Sequence, residues 1–164
     1  MTSMRSIGAI AALALASCAL SSRPAPSDGG RALLEAYVQA WDRHDTLAID
    51  TLLTANGVHE DIAQGVRAVG GAQVNAFVRD VIAAEPDFDW KLTSVMVDGP
   101  RVAAEWTWTA TYTGPSPSGP VTKLRVSARG ASVIEVENGK IARFTDYYDY
   151  ASFFPPPPKE PARM

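Results

Sequence analysis

Asp146 stands in the run Thr145-Asp146-Tyr147-Tyr148-Asp149-Tyr150, an acid set among aromatic rings. Successive side chains of a β-strand point to opposite faces. Alternation therefore groups Phe144, Asp146, Tyr148 and Tyr150 on one face, and Ile141, Arg143, Thr145, Tyr147 and Asp149 on the other. If the first face is the inner one, Asp146 is poorly solvated. Burial disfavours the charged carboxylate, so its pKa climbs toward the range where it gives or takes a proton near neutral pH. Asp61 is another acid, at the end of a candidate strand, and strand alternation places His59 on its face. Two carboxyls beside one cavity divide into an acid and a base when their surroundings push their pKa values apart. Such a pair suits proton movement at a carbon next to a carbonyl: enolisation, isomerisation or aldol-type ring closure. That chemistry requires no metal and no cofactor. Each residue also has a quieter reading. Asp146 can hydrogen-bond Tyr37 or Trp41 as a structural group. Asp61 can be a loop acid leading into Gln64-Gly65, and His59 a packed side chain. His44, beside Asp45, reads as a turn residue. No His, Cys and carboxylate spacing has metal-ligand form.

These residues need elements to hold them. Leu33, Leu34, Tyr37, Val38 and Trp41 recur at helical spacing, which predicts an amphipathic helix over about 31–43. Asp45 is a good N-cap for a short second helix through Leu53. Positions 57–62 are a candidate strand. Val74, Phe77, Val78, Val81 and Ile82 repeat at i, i+3, i+4, i+7 and i+8, giving a third helix that ends near Pro86. The remainder reads as strands. Trp90–Val97 pairs with Arg101–Tyr112 through Asp98-Gly99-Pro100. A Gly-Pro-Ser loop over 114–120 leads to a strand over Lys123–Val136. Asn138-Gly139 then forms a tight hairpin turn, because both central positions of a type I′ turn need positive φ. Helices followed by a long antiparallel sheet is the α+β order. The long strand places Ala104, Trp106, Trp108, Ala110 and Tyr112 on one face and Glu105, Thr107, Thr109 and Thr111 on the other. The first face is either plain core or the lining of a pocket. A cone built from Trp41, His59, Trp106, Trp108, Phe144 and Tyr148 would take a small hydrophobic molecule.

Composition sets the outer bounds. The chain has 164 residues, 46% hydrophobic and 20% charged, with a formal net charge of −3. That supports one domain with a core. No basic stripe or basic-aromatic interleaving is present, so nucleic acid is not an expected partner. Residues 7–15 are apolar but too short to span a bilayer as a mature helix. They end in Leu15-Ala16-Ser17-Cys18, which resembles the bacterial lipobox, with cleavage before a lipidated Cys18. Cys18 is the only cysteine. The implied organisation is a signal peptide over 1–17, the lipidated Cys18 and a tether over 18–30, a domain over 31–154, and a Pro-rich tail over 155–164. The implied location is the bacterial envelope, with the periplasmic side of the outer membrane favoured because Ala19, not Asp, follows Cys18.

The order of elements and three segments resemble the nuclear transport factor 2-like fold, and within it the SnoaL-like group. The segments are YVQAWDRHDTLAIDTLLTANGVHED (37–61), the third helix with Gly71 before it, and RGASVIEVENGKIARFTDYYD (129–149). The resemblance covers about residues 31–154. It implies a cone-shaped, curved antiparallel sheet packed against three helices, and relatives that include polyketide cyclases, ketosteroid isomerases and limonene-type epoxide hydrolases. Fold alone does not give the reaction. By resemblance to ketosteroid isomerases, Tyr37 falls at their oxyanion-donating tyrosine and Asp61 at their general base. Their second oxyanion donor would fall near Gly130 or Ala131, which have no donating side chain. Asp146 falls where cyclases and limonene-type epoxide hydrolases carry a catalytic acid. Those hydrolases also need an Arg and an Asp two apart on the long strand, where this chain has Trp106 and Trp108, so epoxide hydrolysis is not expected. Family members usually pair through the sheet. The resemblance therefore implies a homodimer across the Thr107, Thr109 and Thr111 face, near which Asp149 would lie. The overall expectation is a lipid-anchored module that binds a small hydrophobic carbonyl compound, with isomerisation or cyclisation by acid/base chemistry as the reaction it would carry. The rival is a non-catalytic ligand-binding or protein-interaction module of the envelope.

Overall fold

The computed structural model of the chain describes residues 28–116 and 119–154. The signal peptide, Cys18, most of the tether and the Pro-rich tail lie outside the described residues. Helix α1 runs Asp28–Asp42 and α2 Thr46–Leu52. Strands β1 (Leu53–Asp61) and β2 (Val66–Val69) come before α3 (Gly70–Ala84). Strands β3 (Asp89–Asp98), β4 (Arg101–Gly114), β5 (Val121–Glu137) and β6 (Lys140–Tyr148) follow, and a 3-10 turn over Tyr150–Phe153 ends the described chain. Asp28-Gly29-Gly30 is thus helical rather than part of the tether.

Local chemistry accounts for the breaks. His44 sits at φ 56° in the turn after α1. The Asp45 carboxylate accepts from the Ala48 amide at 2.9 Å, an N-cap that contributes about 1 kcal/mol. Gly70 at φ 75° turns the chain into α3. A Cβ on Gly71 would lie 1.5 Å from Asp50 Oδ1, so the start of α3 packs on α2 through glycine. Asn138 and Gly139 take φ 51° and 74°, as the type I′ turn between β5 and β6 requires.

The sheet order is β2-β1-β6-β5-β4-β3. All neighbours are antiparallel except β1 and β6, which run parallel with Asp61 opposite Asp146. The α+β fold is as expected, but the sheet is mixed, and the third helix lies between β2 and β3. The short β2 has four residues and no alternation that would reveal it. β1 begins at Leu53, four residues before the expected strand. Register shifts occur between Leu92 and Ser94 in β3, and between Leu53 and Val58 in β1. Each such irregularity bends its strand and increases local twist, which turns the sheet around the helices.

A further shift at Glu135/Val136 pairs Val136 with Ile141 and Glu135 with Arg143. It flips the phase of β6. Ile141 is therefore fully buried, although strict alternation groups it with Arg143. Beyond the shift Phe144 and Asp146 are buried and Tyr147 is exposed, as alternation expects, although Thr145 on the other face is buried too. On β4, Ala104, Trp106, Trp108, Ala110 and Tyr112 are all buried. The α1 stripe Leu34, Tyr37, Val38 and Trp41 packs over this concave face.

Candidate active site

The concave face does not close on itself. A cavity of about 290 Å³ remains between α1, α3 and the sheet. Strands β1, β4 and β6 send His59 and Asp61, Trp106 and Trp108, and Asp146 and Tyr148 into its wall. Helix α1 contributes Trp41. Helix α3 contributes Phe77, Asp80, Val81 and Ala84, and Glu85 stands at its C-cap.

Asp146 is 7% exposed. The Ser132 hydroxyl, directly across on β5, donates to Oδ1 at 2.5 Å. Ser132 Oγ in turn accepts from Trp106 Nε1 at 2.7 Å. Oδ2 lies 3.5 Å from His59 Nε2. Burial drives the Asp146 pKa well above the ordinary carboxylate value; the Ser132 hydrogen bond opposes this, and the Asp61 charge adds to it. Neither Tyr37 nor Trp41 is its partner: the role considered for them falls to Ser132 and His59.

His59 is 1% exposed. Burial pushes its pKa down to about 3, so the ring is neutral and its contact with Asp146 is not an ion pair. Its Nδ1 meets the Tyr37 hydroxyl at 2.9 Å. Burial raises the Tyr37 pKa above its usual value, so that hydroxyl keeps its proton and donates it to Nδ1. Nε2 then carries the ring proton and turns it toward Asp146 Oδ2. Phe144 stacks on the imidazole with centroids 5.0 Å apart and planes at 9°. Tyr37 and Phe144 are each fully buried and neither lines the cavity. Two expectations are corrected here. Phe144 packs behind His59 and so is not a pocket residue. Tyr37 spends its hydroxyl on His59 and does not reach bound substrate as an oxyanion donor.

Asp61 lines the cavity, but its oxygens are occupied. Oδ1 accepts from the Gln64 amide at 2.8 Å. Oδ2 accepts from Gln64 Nε2 and from the Tyr148 hydroxyl, each at 2.8 Å. The acid thus clamps the β1–β2 turn to β6. Burial and this carboxylate raise the Tyr148 pKa well above the phenol value, so Tyr148 stays the donor. At Gly130, where a second oxyanion donor would be sought, a Cβ would come within 2.4 Å of the Trp106 ring. The indole lies where a longer side chain would go. Asp149 caps the 3-10 turn, accepting from the Ala151 amide at 3.0 Å, which gives it a local role.

Glu85 was not among the candidate residues. It is 8% exposed, and Trp108 Nε1 donates to its Oε2 at 2.5 Å. Burial pushes its pKa up to about 7, with Trp108 opposing and Asp87 adding to the rise. The signal was present in α3: Phe77, Asp80, Val81, Ala84 and Glu85 follow i, i+3, i+4, i+7, i+8 spacing, a second stripe beside the apolar one. Pro86 marked Glu85 as a helix end and concealed that stripe. Among the described residues no group of three or more His, Cys, Asp or Glu side chains is arranged to hold a metal.

The comparisons agree with this architecture. The model of the SnoaL-like polyketide cyclase family matches residues 31–155. A protein of Pseudomonas putida described as a candidate polyketide cyclase is 26% identical, with 75% of this chain and 93% of that one covered and a TM-score of 0.63. An LEH-like epoxide hydrolase of M. tuberculosis is 23% identical over 77% of this chain and 87% of its own, TM-score 0.62. A protein from Catenulispora acidiphila with a ketosteroid isomerase-like fold, described in complex with trimethylamine, is 22% identical over 74% and 88%, TM-score 0.64. The last two likenesses bear on fold alone. No match was found among curated proteins. A family model spanning nearly all of the described domain, on a cone of the same architecture, places this chain in the SnoaL-like polyketide cyclase family.

Proposed function

We propose that the cavity binds a small hydrophobic carbonyl compound and that Asp146 moves a proton at the carbon beside the carbonyl. One observation carries this: a buried carboxyl in the wall of an aromatic cavity, with a raised pKa, one oxygen bonded by Ser132 and the other 3.5 Å from the neutral His59 ring. Asp146 as carboxylate takes the proton from carbon. The neutral His59, oriented by Tyr37, turns its Nε2–H toward Oδ2, while Ser132 holds the carboxyl in place. Asp61, with both oxygens occupied, serves the wall more than the chemistry. That observation favours the rival reading, a non-catalytic ligand-binding module, for the Asp61 end of the site.

The test is exchange of α-protons for deuterium in cyclic and aryl ketones such as 1-tetralone, followed by NMR in D₂O. Exchange above the buffer rate by the wild type, lost in Asp146→Asn with the fold intact, supports the proposal. Equal exchange by both proteins removes Asp146 from the chemistry.

We also propose that Cys18 is lipidated and anchors the domain to the bacterial envelope; the Leu15-Ala16-Ser17-Cys18 sequence supports this. Among the described residues no helix is long and apolar enough to cross a membrane. For a homodimer, the outer face of the sheet is our candidate surface, where Tyr147 is 47% exposed.

A further inference from the structure

We propose that the ligand of this cavity is an organic cation, a small alkyl- or aryl-ammonium compound, with its charged end beside Glu85 and the aromatic rings around it. This rests on the reading of the cavity as a ligand site and adds the class of ligand. The first observation is the sign of the wall. Asp61, Asp80, Glu85 and Asp146 line it, and no Lys or Arg does. The one basic side chain, His59, is held neutral by burial. An anionic ligand would meet four acids and no counter-charge.

The second observation is Glu85 itself. It is more than nine-tenths buried and stands in the cavity wall. Oε2 is taken by Trp108 Nε1. Among the described residues no donor reaches Oε1. Oε1 is not sealed in the core but open to the cavity, where a cation can pair with it. The carbonyl chemistry at Asp146 does not use it.

The third is the kind of surface around it. Trp90, Trp106 and Trp108 meet edge-to-face, with Trp90 5.7 Å from Trp108 and 6.0 Å from Trp106. Tyr148 lies 5.7 Å from Trp106, and Tyr112 and Tyr150 complete that end. Ring faces attract a desolvated ammonium, Trp most strongly. A neutral apolar ligand needs the rings but not the carboxylates; a cation uses both. The two ends of the site are also spaced. Trp106 anchors Ser132 and through it Asp146, whereas Trp108 anchors Glu85. Two residues along a strand span about 7 Å. The cationic nitrogen of the ligand therefore lies several bonds from the carbon that faces Asp146.

The test uses the full chain and three probes: benzyltrimethylammonium, its neutral carbon isostere neopentylbenzene, and 1-tetralone. Quenching of the four tryptophans, all buried in or beside the cavity, reports binding. At pH 8 the cation should bind at least ~10-fold tighter than the isostere. The preference should shrink below pH 6 as Glu85 holds its proton, and fall by ~10-fold in Glu85→Gln. Calorimetry near pH 7 in buffers of different ionisation enthalpy should show proton release on binding the cation but not the isostere. This readout uses the wild type alone and survives a poorly folding variant. Equal or tighter binding of the isostere overturns the inference. So does cation binding with no proton release. If 1-tetralone binds while the cation does not, the cation inference fails and the cavity reading stands. If no probe binds, both fail.

Discussion

Replacing Glu85 with Gln should stabilise the protein at alkaline pH and leave it unchanged in acid. The side chain is 8% exposed and its pKa rises from 4.5 to about 7 on folding, chiefly through burial. Between those values the folded chain holds a proton that the unfolded chain has released. Stability therefore falls as pH rises through this window; the favourable contribution is complete below 4.5 and gone above 7. The gap between the two values, at about 1.4 kcal/mol per pH unit, sets a ceiling of about 3 kcal/mol. Gln keeps the volume and an oxygen that accepts from Trp108 Nε1, and it cannot ionise. Urea unfolding followed by tryptophan fluorescence at pH 4 and pH 8 measures the difference. We expect Glu85→Gln to match wild type at pH 4 and to exceed it by about 1–3 kcal/mol at pH 8. A variant less stable than wild type at pH 8, or a difference that does not change with pH, would refute the claim that Glu85 is a buried ionisable group.

Gly130→Ala would drive a methyl to within 2.4 Å of the Trp106 ring and 2.8 Å of the Tyr147 carbonyl oxygen. Overpacking of that kind costs about 1–3 kcal/mol, and the thermal midpoint should drop accordingly. Tyr37→Phe removes the donor to a His59 nitrogen that is shut off from water. A loss of about 1–3 kcal/mol in denaturant unfolding is the expected result, larger than for any exposed Tyr-to-Phe change such as Tyr147→Phe. Cys18→Ser should abolish incorporation of labelled palmitate and move the protein to the soluble fraction; an unlabelled wild type that still sediments with membranes would count against lipidation.

The readable parts of this chain are those in which one physical rule acts alone. Asn138-Gly139 had to turn because few other pairs accept two positive φ values. The Trp106–Trp108 row had to share a face because β4 has no irregularity across it. Asp45 announced α2 because its side chain caps it. Reading failed where partners distant in sequence decide. The parallel pairing of β1 with β6 joins residues more than eighty positions apart and brings Asp61 beside Asp146. The phase of Ile141 depends on a shift opposite Val136 that no local pattern signals. Within the site, Asp146, His59, Trp41, Trp106, Trp108 and Tyr148 follow from alternation and helical spacing. The partners that set their chemistry do not. Ser132 is a single serine in a β-branched run, and Gln64 sits in a turn. Glu85 looked like the residue before a proline. Tyr37 shows the opposite failure: helical spacing placed it on the buried stripe of α1, but it stays outside the cavity with its hydroxyl consumed by a histidine across the core.

The central claim is that Asp146 is a buried acid with a raised pKa in the wall of a ligand cavity. Its own titration tests this most directly. With carboxyl-¹³C aspartate incorporated and the Asp146 resonance assigned by comparison with Asp146→Asn, NMR follows its ionisation in the intact protein. The account predicts a midpoint well above the ordinary 3.8, with the His59 ring neutral throughout the neutral range. A midpoint at or below 3.8 would mean that Ser132 and His59 outweigh burial, and would contradict the account.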